Sequence, residues 1–147
     1  TLMRSSAASD VYKRQIMACI VRILRERDMD IALLYLVSTI LIDRQLSTGL
    51  HGCMDFKQLS SRIKNQGLIS RKLDSFGPYF INAMIILTQS KIIAVSEGVL
   101  RLIDLSFPSG KLSSRRLGRI INNADHLLDM CKDLSTEEIY NDLNVLL

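Results

Sequence analysis

An apolar helical segment at residues 78–89 runs directly into a hairpin pattern, and this block constrains the fold more than any other part of the sequence. Proline is favoured in the first turn of a helix, where its missing N–H is not needed, so Pro78 is predicted to begin this helix. A Glu97–Gly98 turn separates two β-branched, apolar segments, which predicts antiparallel strands at residues 92–96 and 99–103. A helix followed by such a hairpin is typical of the closing part of a winged-helix-like unit.

The segments before this block are predicted to be helices that build the core. From Ile16 to about Arg27, apolar residues recur at helical spacing, which indicates an amphipathic surface helix. Residues 31–42 are apolar nearly all round and predict a central core helix, which Asp28 or Asp30 can cap. A membrane span needs roughly 20 apolar residues. This run has 12 before charged side chains follow, so the core interpretation is favoured.

Further helices are predicted on both sides of the hairpin. A capping-box pattern at Asp55–Gln58 opens one helix, and a second pattern at Ser135–Glu138 opens a short last helix. Between them, about residues 112–132 form an amphipathic helix. A linker at residues 47–54 and a connection or brief helix at residues 68–74 join these elements. The sequence therefore predicts a mainly α fold with a small β-hairpin, arranged as a winged-helix-like single domain.

The first fifteen residues are predicted not to be native. The segment TLMRSSAASDVYKRQ is similar to translated sequencing-adaptor read-through, and a native disordered tail is the alternative. Setting residues 1–15 aside removes three basic side chains and one acidic side chain, so the net charge falls from +4 to +2. The predicted domain is then 16–147, and native residues before Ile16 would be missing.

Motifs that carry catalysis are absent from the sequence. Neither a Gly-rich phosphate loop nor H-E-x-x-H nor G-x-S-x-G occurs, and three separated cysteines do not form a metal-binding pair. A nucleophilic pair of Cys53 with His51 is the remaining enzymatic hypothesis, while His126 is expected on the surface or rim of its helix. The sequence predicts a non-enzymatic cytoplasmic protein with reduced thiols, no metal, no cofactor and no small-molecule substrate.

DNA binding is the natural alternative for a winged-helix-like unit. A recognition helix needs polar and basic side chains, yet the predicted helix has neither lysine nor arginine before Lys91. Asn82 could pair with adenine. We favour a structural role for it, because Ile81, Ile85 and Ile86 indicate that this part of the helix is buried.

Basic residues are concentrated at the start of the penultimate helix, and acidic residues follow in its second half. The basic set is Lys111, Arg115, Arg116 and Arg119, and the acidic set is Asp125, Asp129 and Asp133. This order opposes the helix dipole, which favours acids at the N-terminus and bases at the C-terminus. We interpret the basic set as a partner-binding surface, with an ordinary solvated face as the alternative.

Two blocks of the chain resemble the middle component of prokaryotic three-component ABC systems. The first is LDSFGPYFINAMIILTQSKIIAVSEGVLRLI, and the second is SSRRLGRIINNADHLLDMCKDLSTEEIYNDLNVLL. The positions that match the family pattern are Pro78, Asn82 and Gly98 in the first block and Tyr140, Leu143 and Val145 in the second. The resemblance runs from about Asp55 to the end, whereas residues 16–50 agree only in hydrophobic pattern.

The resemblance implies an adaptor role. Middle components are encoded beside an SMC- or Rad50-like ABC ATPase and an effector protein, and they are thought to link the two in defence against phage and mobile elements. It implies protein partners from the same operon, nucleic acid only indirectly, and no membrane. Tyr140, Leu143 and Val145 are then expected at a second contact surface or in the core. A winged-helix DNA-binding regulator is the alternative function.

Overall fold

The computed structural model describes the chain at residues 2–106 and 115–146, and its side chains from residue 9 onward. The elements are α1 (Leu2–Glu26), β1 (Met29–Asp30), α2 (Ile31–Ile42), α3 (Arg44–Thr48), α4 (Phe56–Gln66), α5 (Ile69–Gln89), β2 (Ile93–Ser96), β3 (Val99–Leu102), α6 (Arg115–Cys131) and α7 (Thr136–Asp142). The predicted mainly α fold with a small β-hairpin is confirmed. Across the described part of the chain, no helix is long and apolar enough to cross a membrane.

Helix α2 lies at the centre of the core, as its apolar sequence predicts. All of its residues from Leu36 to Ile42 are buried, and it packs against α1, α5 and α6. The carboxylate of Asp30 accepts a hydrogen bond from the Leu33 N–H at 2.9 Å, which caps the helix. The Tyr35 ring stacks on Phe80 with ring centroids 5.1 Å apart, and this contact joins α2 to α5.

Helix α1 begins at Leu2, so the predicted start at Ile16 is wrong. Residues before Ile16 pack with the rest of the helix. Tyr12 lies one helical turn before Ile16 on the same side of the helix, and Gln15, next to Ile16, is buried. The Tyr12 ring makes an edge contact with the ring of Tyr79, with centroids 5.2 Å apart. A helix does not reveal the origin of its residues, so the read-through origin of residues 1–15 stays a prediction.

Helix α5 begins at Ile69, nine residues before the predicted start, and Pro78 lies inside it. The interior proline removes one helical hydrogen bond, to the carbonyl of Asp74, and normally costs about 3 kcal/mol. The buried stripe continues through it at helical spacing, from Leu73 to Phe80, and the burial of this stripe holds the two halves in one helix. The Tyr35 hydroxyl also donates to the carbonyl of Leu73, next to the interruption.

The sheet contains the predicted hairpin and a third strand that the sequence did not indicate. The strand order is β1–β3–β2, and Ile93 pairs with Leu102 while Met29 pairs with Leu100. Glu97 and Gly98 have φ values of 54° and 77°, as expected for the tight turn of a two-residue hairpin loop. Strand β1 has two residues, too few to show a periodic pattern. The winged-helix-like arrangement of these elements stays a prediction.

Helices α4 and α7 begin at the predicted caps. The Gln58 N–H donates to Asp55 at 2.9 Å, and the Glu138 N–H donates to Ser135 at 3.1 Å. In a capping box, the Gln58 side chain would accept from the N–H of Asp55. In the structure it accepts from the N–H of the preceding residue, Met54. The predicted linker at 47–54 overlaps the short helix α3, which Asp43 caps.

Candidate partner-binding surfaces

A basic cleft lies between α3 and the first half of α6. Its charged side chains are Arg44, Arg116 and Arg119, and its volume is about 50 Å³. The other polar residues that line it are His51, Ser47, Thr48 and Asn123. None of the lining residues is acidic, so the electrostatic field in the cleft favours an anion.

Hydrogen bonds on both sides of the basic cleft fix its walls. Arg116 donates to the carbonyl of Ile42 at 3.3 Å, which joins α6 to the end of α2. Nε2 of His126 lies 2.9 Å from the carbonyl of Cys53. Because a carbonyl only accepts, this nitrogen carries the proton. Arg62 donates to the carbonyls of Gly49 and His51, so the loop that closes the cleft is held in place.

The acidic residues of α6 have ion-pair partners, whereas the described residues supply none to the arginines around the basic cleft. Asp125 pairs with Arg22 of α1 at 2.7 Å, and Asp129 lies 3.5 Å from Lys132. In the part of the chain that the structure describes, Arg44 and Arg119 have no carboxylate partner and are exposed. Asp125 and Asp129 therefore have basic partners within the molecule, whereas Arg44 and Arg119 have no acidic partner among the residues described.

Only part of the predicted basic set lines the basic cleft. Arg116 and Arg119 line the basic cleft, while Arg115 is exposed on the same turn of α6 but does not line it. Arg116 also lies over the Tyr12 ring, 5.8 Å from its centroid, so it has a packing role. Lys111 lies outside the described residues.

An apolar groove lies between α5, the start of α2 and the edge strand β2. Four of its side chains are about half exposed: Ile31 at 53%, Ile81 at 59%, Ile85 at 48% and Val95 at 57%. Phe80 and Met84 form its floor, and its volume is about 390 Å³. The expected burial of Ile81 and Ile85 is therefore wrong. These two isoleucines lie on α5 beside the buried stripe, next to Phe80 and Met84.

The residues that match the family pattern occupy three kinds of position. Tyr140 and Leu143 are buried in the core, and Val145 is partly buried against it. The Tyr140 hydroxyl donates to the carbonyl of Ala32 at 2.6 Å, and burial raises the pKa of this tyrosine to about 12. The burial of Tyr140 and Leu143 agrees with a core position, the second of the two that were expected, and a partner contact for these three residues stays a prediction.

The other family-pattern positions lie on α5 and in the hairpin. Pro78 is exposed in the interior of α5, and Gly98 occupies the hairpin turn. Asn82 is half-buried on α5 beside the apolar groove residue Ile81. Its side chain makes no hydrogen bond with another described residue, and the predicted structural role stays a prediction.

The cysteine residues are placed as core side chains. The Cys53 thiol donates to the carbonyl of Gly49 at 3.0 Å and is 2% exposed, whereas His51 is exposed to solvent. The structure thus does not bring the thiol and the imidazole together. Burial raises the pKa of the Cys19 and Cys131 thiols to about 12, which keeps both thiols protonated at neutral pH. Among the described residues, no group of histidine, cysteine or acidic side chains could hold a metal ion.

Sequence reasoning missed residues of both surfaces. Arg44 and Arg119 come together because α3 and α6 both pack against α2, and their separation of 75 residues in the sequence hides that relation. Val95 and Ile31 lie in segments assigned to a strand and a core helix, where an apolar side chain is expected to be buried. No local signal in the sequence distinguishes these residues from core residues. No family model, no curated protein and no solved structure matches this chain.

Proposed function

We propose that this protein is a non-enzymatic cytoplasmic adaptor, the middle component that links an SMC- or Rad50-like ABC ATPase to an effector in a prokaryotic conflict system. The observation that carries the proposal is the apolar groove between α5 and β2. A set of half-exposed isoleucine and valine side chains around a buried aromatic floor is characteristic of protein-binding sites. The winged-helix-like arrangement of α5 and the hairpin is part of this proposal.

The apolar groove can supply substantial binding energy. Full burial of an isoleucine side chain contributes about 1.5–3 kcal/mol. Ile81 and Ile85 are each about half exposed, so covering both adds roughly 1.5–3 kcal/mol. This corresponds to roughly a tenfold to hundredfold change in the dissociation constant.

Two surfaces at a fixed separation also suit an adaptor. Ile31, the first residue of α2, lines the apolar groove, and Ile42, its last residue, lines the basic cleft. A helix rises 1.5 Å per residue, so the two surfaces lie about 16 Å apart along one buried helix. Two partners can therefore be bound on separate faces without competing for the same side chains.

The test is co-purification of the protein with the ATPase and the effector encoded beside its gene. We expect Ile85→Glu to lose one partner, because a carboxylate in the apolar groove is left without water or a hydrogen-bond donor. Leu105→Glu is the matched control, since Leu105 is exposed outside the groove. Retention of both partners by Ile85→Glu would exclude the groove as the contact. Failure of the unaltered protein to bind either partner would refute the adaptor role.

A DNA-binding regulator is the second candidate, and the exposed arginines of α6 are the observation that favours it. Helix α5 includes Arg71 and Lys72 before Pro78, so it is not free of basic residues, although Lys72 pairs with Asp43 at 3.0 Å. The half-exposed apolar residues after Pro78 are unsuited to a groove of DNA. A gel-shift at physiological salt decides between the candidates: tight duplex binding that Arg115→Glu abolishes would establish the regulator.

A further inference from the structure

The basic cleft has a donor set that is suited to an oxyanion. Arginine presents a planar fork of N–H donors, which matches two oxygens of one phosphate group. Arg116 uses one N–H on the carbonyl of Ile42, and its remaining N–H groups stay available. Ser47 and Thr48 both donate to the carbonyl of Arg44, so their hydroxyl groups supply no donor to the cleft. The donors are therefore the three guanidinium groups, with Asn123 and His51.

The size of the basic cleft limits the ligand. A volume of about 50 Å³ holds about three to five water molecules at about 10–15 Å³ each, and a tetrahedral oxyanion has four oxygens. A duplex-binding surface instead extends along the backbone and typically contacts about 6–10 phosphates. Three guanidinium groups around one small concave site thus favour a single oxyanion over a nucleic acid.

No carboxylate among the described residues pairs with a guanidinium group of the basic cleft. No lining residue is acidic, and the sequence contains no acid between Leu105 and Ala124. Like charges held together repel one another, so an anion that enters the cleft relieves this repulsion and stabilises the folded state. The hydrogen bonds from Arg62 and His126 hold the walls in place before binding, which reduces the entropy lost on association.

We propose that the basic cleft binds one phosphate group, either as free phosphate or as the phosphate of a small molecule such as a nucleotide. Arg44 and Arg119 hold the anion from α3 and α6, and Arg116 contributes from one helical turn away. The two proposals can fail separately, because the co-purification test alters only the apolar groove, whereas this proposal concerns the basic cleft, the second of the adaptor's two surfaces. A bound phosphate group would bridge α3 and α6 through Arg44 and Arg119.

The test measures binding of inorganic phosphate and of ATP by calorimetry, and thermal unfolding with phosphate or chloride at equal ionic strength. We expect saturable binding with a dissociation constant of about 1 mM or below, and a melting temperature that rises with phosphate but not with chloride. Arg44→Gln and Arg119→Gln should each weaken binding by about tenfold to hundredfold, since each removes a charge-assisted hydrogen bond. Arg101→Gln is the matched control, because Arg101 is exposed on β3 away from the cleft.

Each result of this test bears on the proposal. Tighter binding of ATP than of phosphate identifies a phosphorylated small molecule as the source, and equal binding identifies the phosphate group itself. Arg44 and Arg119 are exposed on different helices, so loss of binding in both variants with unchanged unliganded melting temperatures cannot come from unfolding. The proposal is overturned by the absence of saturable binding, by an equal loss in Arg101→Gln, or by binding of duplex DNA without binding of phosphate.

Discussion

Replacement of Tyr140 by phenylalanine tests how much the buried hydroxyl group of this residue contributes to the stability of the fold. The change removes the hydroxyl group that donates to the carbonyl of Ala32 and keeps the buried ring. Helix geometry gives the Ala32 carbonyl a second donor, the N–H of Leu36, so the carbonyl is not left without a partner. The expected loss is therefore that of one net hydrogen bond, about 0.5–1.5 kcal/mol, rather than the larger penalty of an orphaned group.

The assay is denaturant unfolding at pH 7 and across the alkaline range. In a parallel thermal unfolding experiment, a loss of about 1 kcal/mol should lower the melting temperature by about 2–4 °C in a chain of this size. The folded pKa of Tyr140 is raised from 10.0 to about 12, first by burial and then by the charge of Asp30. A raised pKa stabilises the fold fully below pH 10, and this contribution is lost as the pH rises towards 12.

Phenylalanine does not ionise, so the stability difference between the two proteins should shrink over this alkaline range. Tyr79→Phe is the control, because Tyr79 is about half exposed; its change in stability should stay within about 0.5 kcal/mol. Equal stability of Tyr140→Phe and the unaltered protein at pH 7, or a stability advantage of the unaltered protein that grows towards pH 12, would refute this account of the Tyr140 hydrogen bond.

Three further changes test local features of the fold. Ser38→Ala should raise stability by about 1 kcal/mol in calorimetry, because this hydroxyl is buried with no hydrogen-bond partner among the described residues; a loss would show that it has one. Asp55→Ala should lower stability by about 1 kcal/mol through loss of the α4 cap, whereas Asp55→Asn should lose only a few tenths, as urea titration would show. Removal of residues 1–15 should leave a folded protein by circular dichroism, weakened by about 0.5–1.5 kcal/mol through loss of the contact of Tyr12 with Tyr79; an unfolded product would contradict the read-through prediction.

Elements with local chemical signals were predictable from the sequence. The caps at Asp30, Asp55 and Ser135 and the turn at Gly98 all have the predicted roles, because each depends on residues within four positions. The long helix α5 was not predictable in full. Proline is common at a helix start, and only the tertiary burial of residues on both sides of Pro78 keeps the helix continuous there.

The candidate surfaces were less predictable than the fold. In a helix that is apolar on nearly every side, the sequence does not show which side faces the core. The packing of α5 on α2 determines that Ile81 and Ile85 are exposed. The basic residues of α6 were evident as a cluster, but their convergence with Arg44 depends on packing between distant segments. Asp125 is a similar case, since its partner Arg22 lies on α1 at a sequence separation of 103 residues.

The placement of both surfaces at the ends of α2 has a mechanical consequence. Helix α2 is buried along most of its length and held by Asp30 at its start, and Arg116 bonds to the carbonyl of Ile42 at its end. A packed helix of this kind moves as one body, because a close-packed core resists local deformation. An anion that draws α3 and α6 together would therefore act on the same rigid helix that carries Ile31 of the apolar groove. Coupling between the two surfaces then requires only a small shift of α2, and not a change of fold.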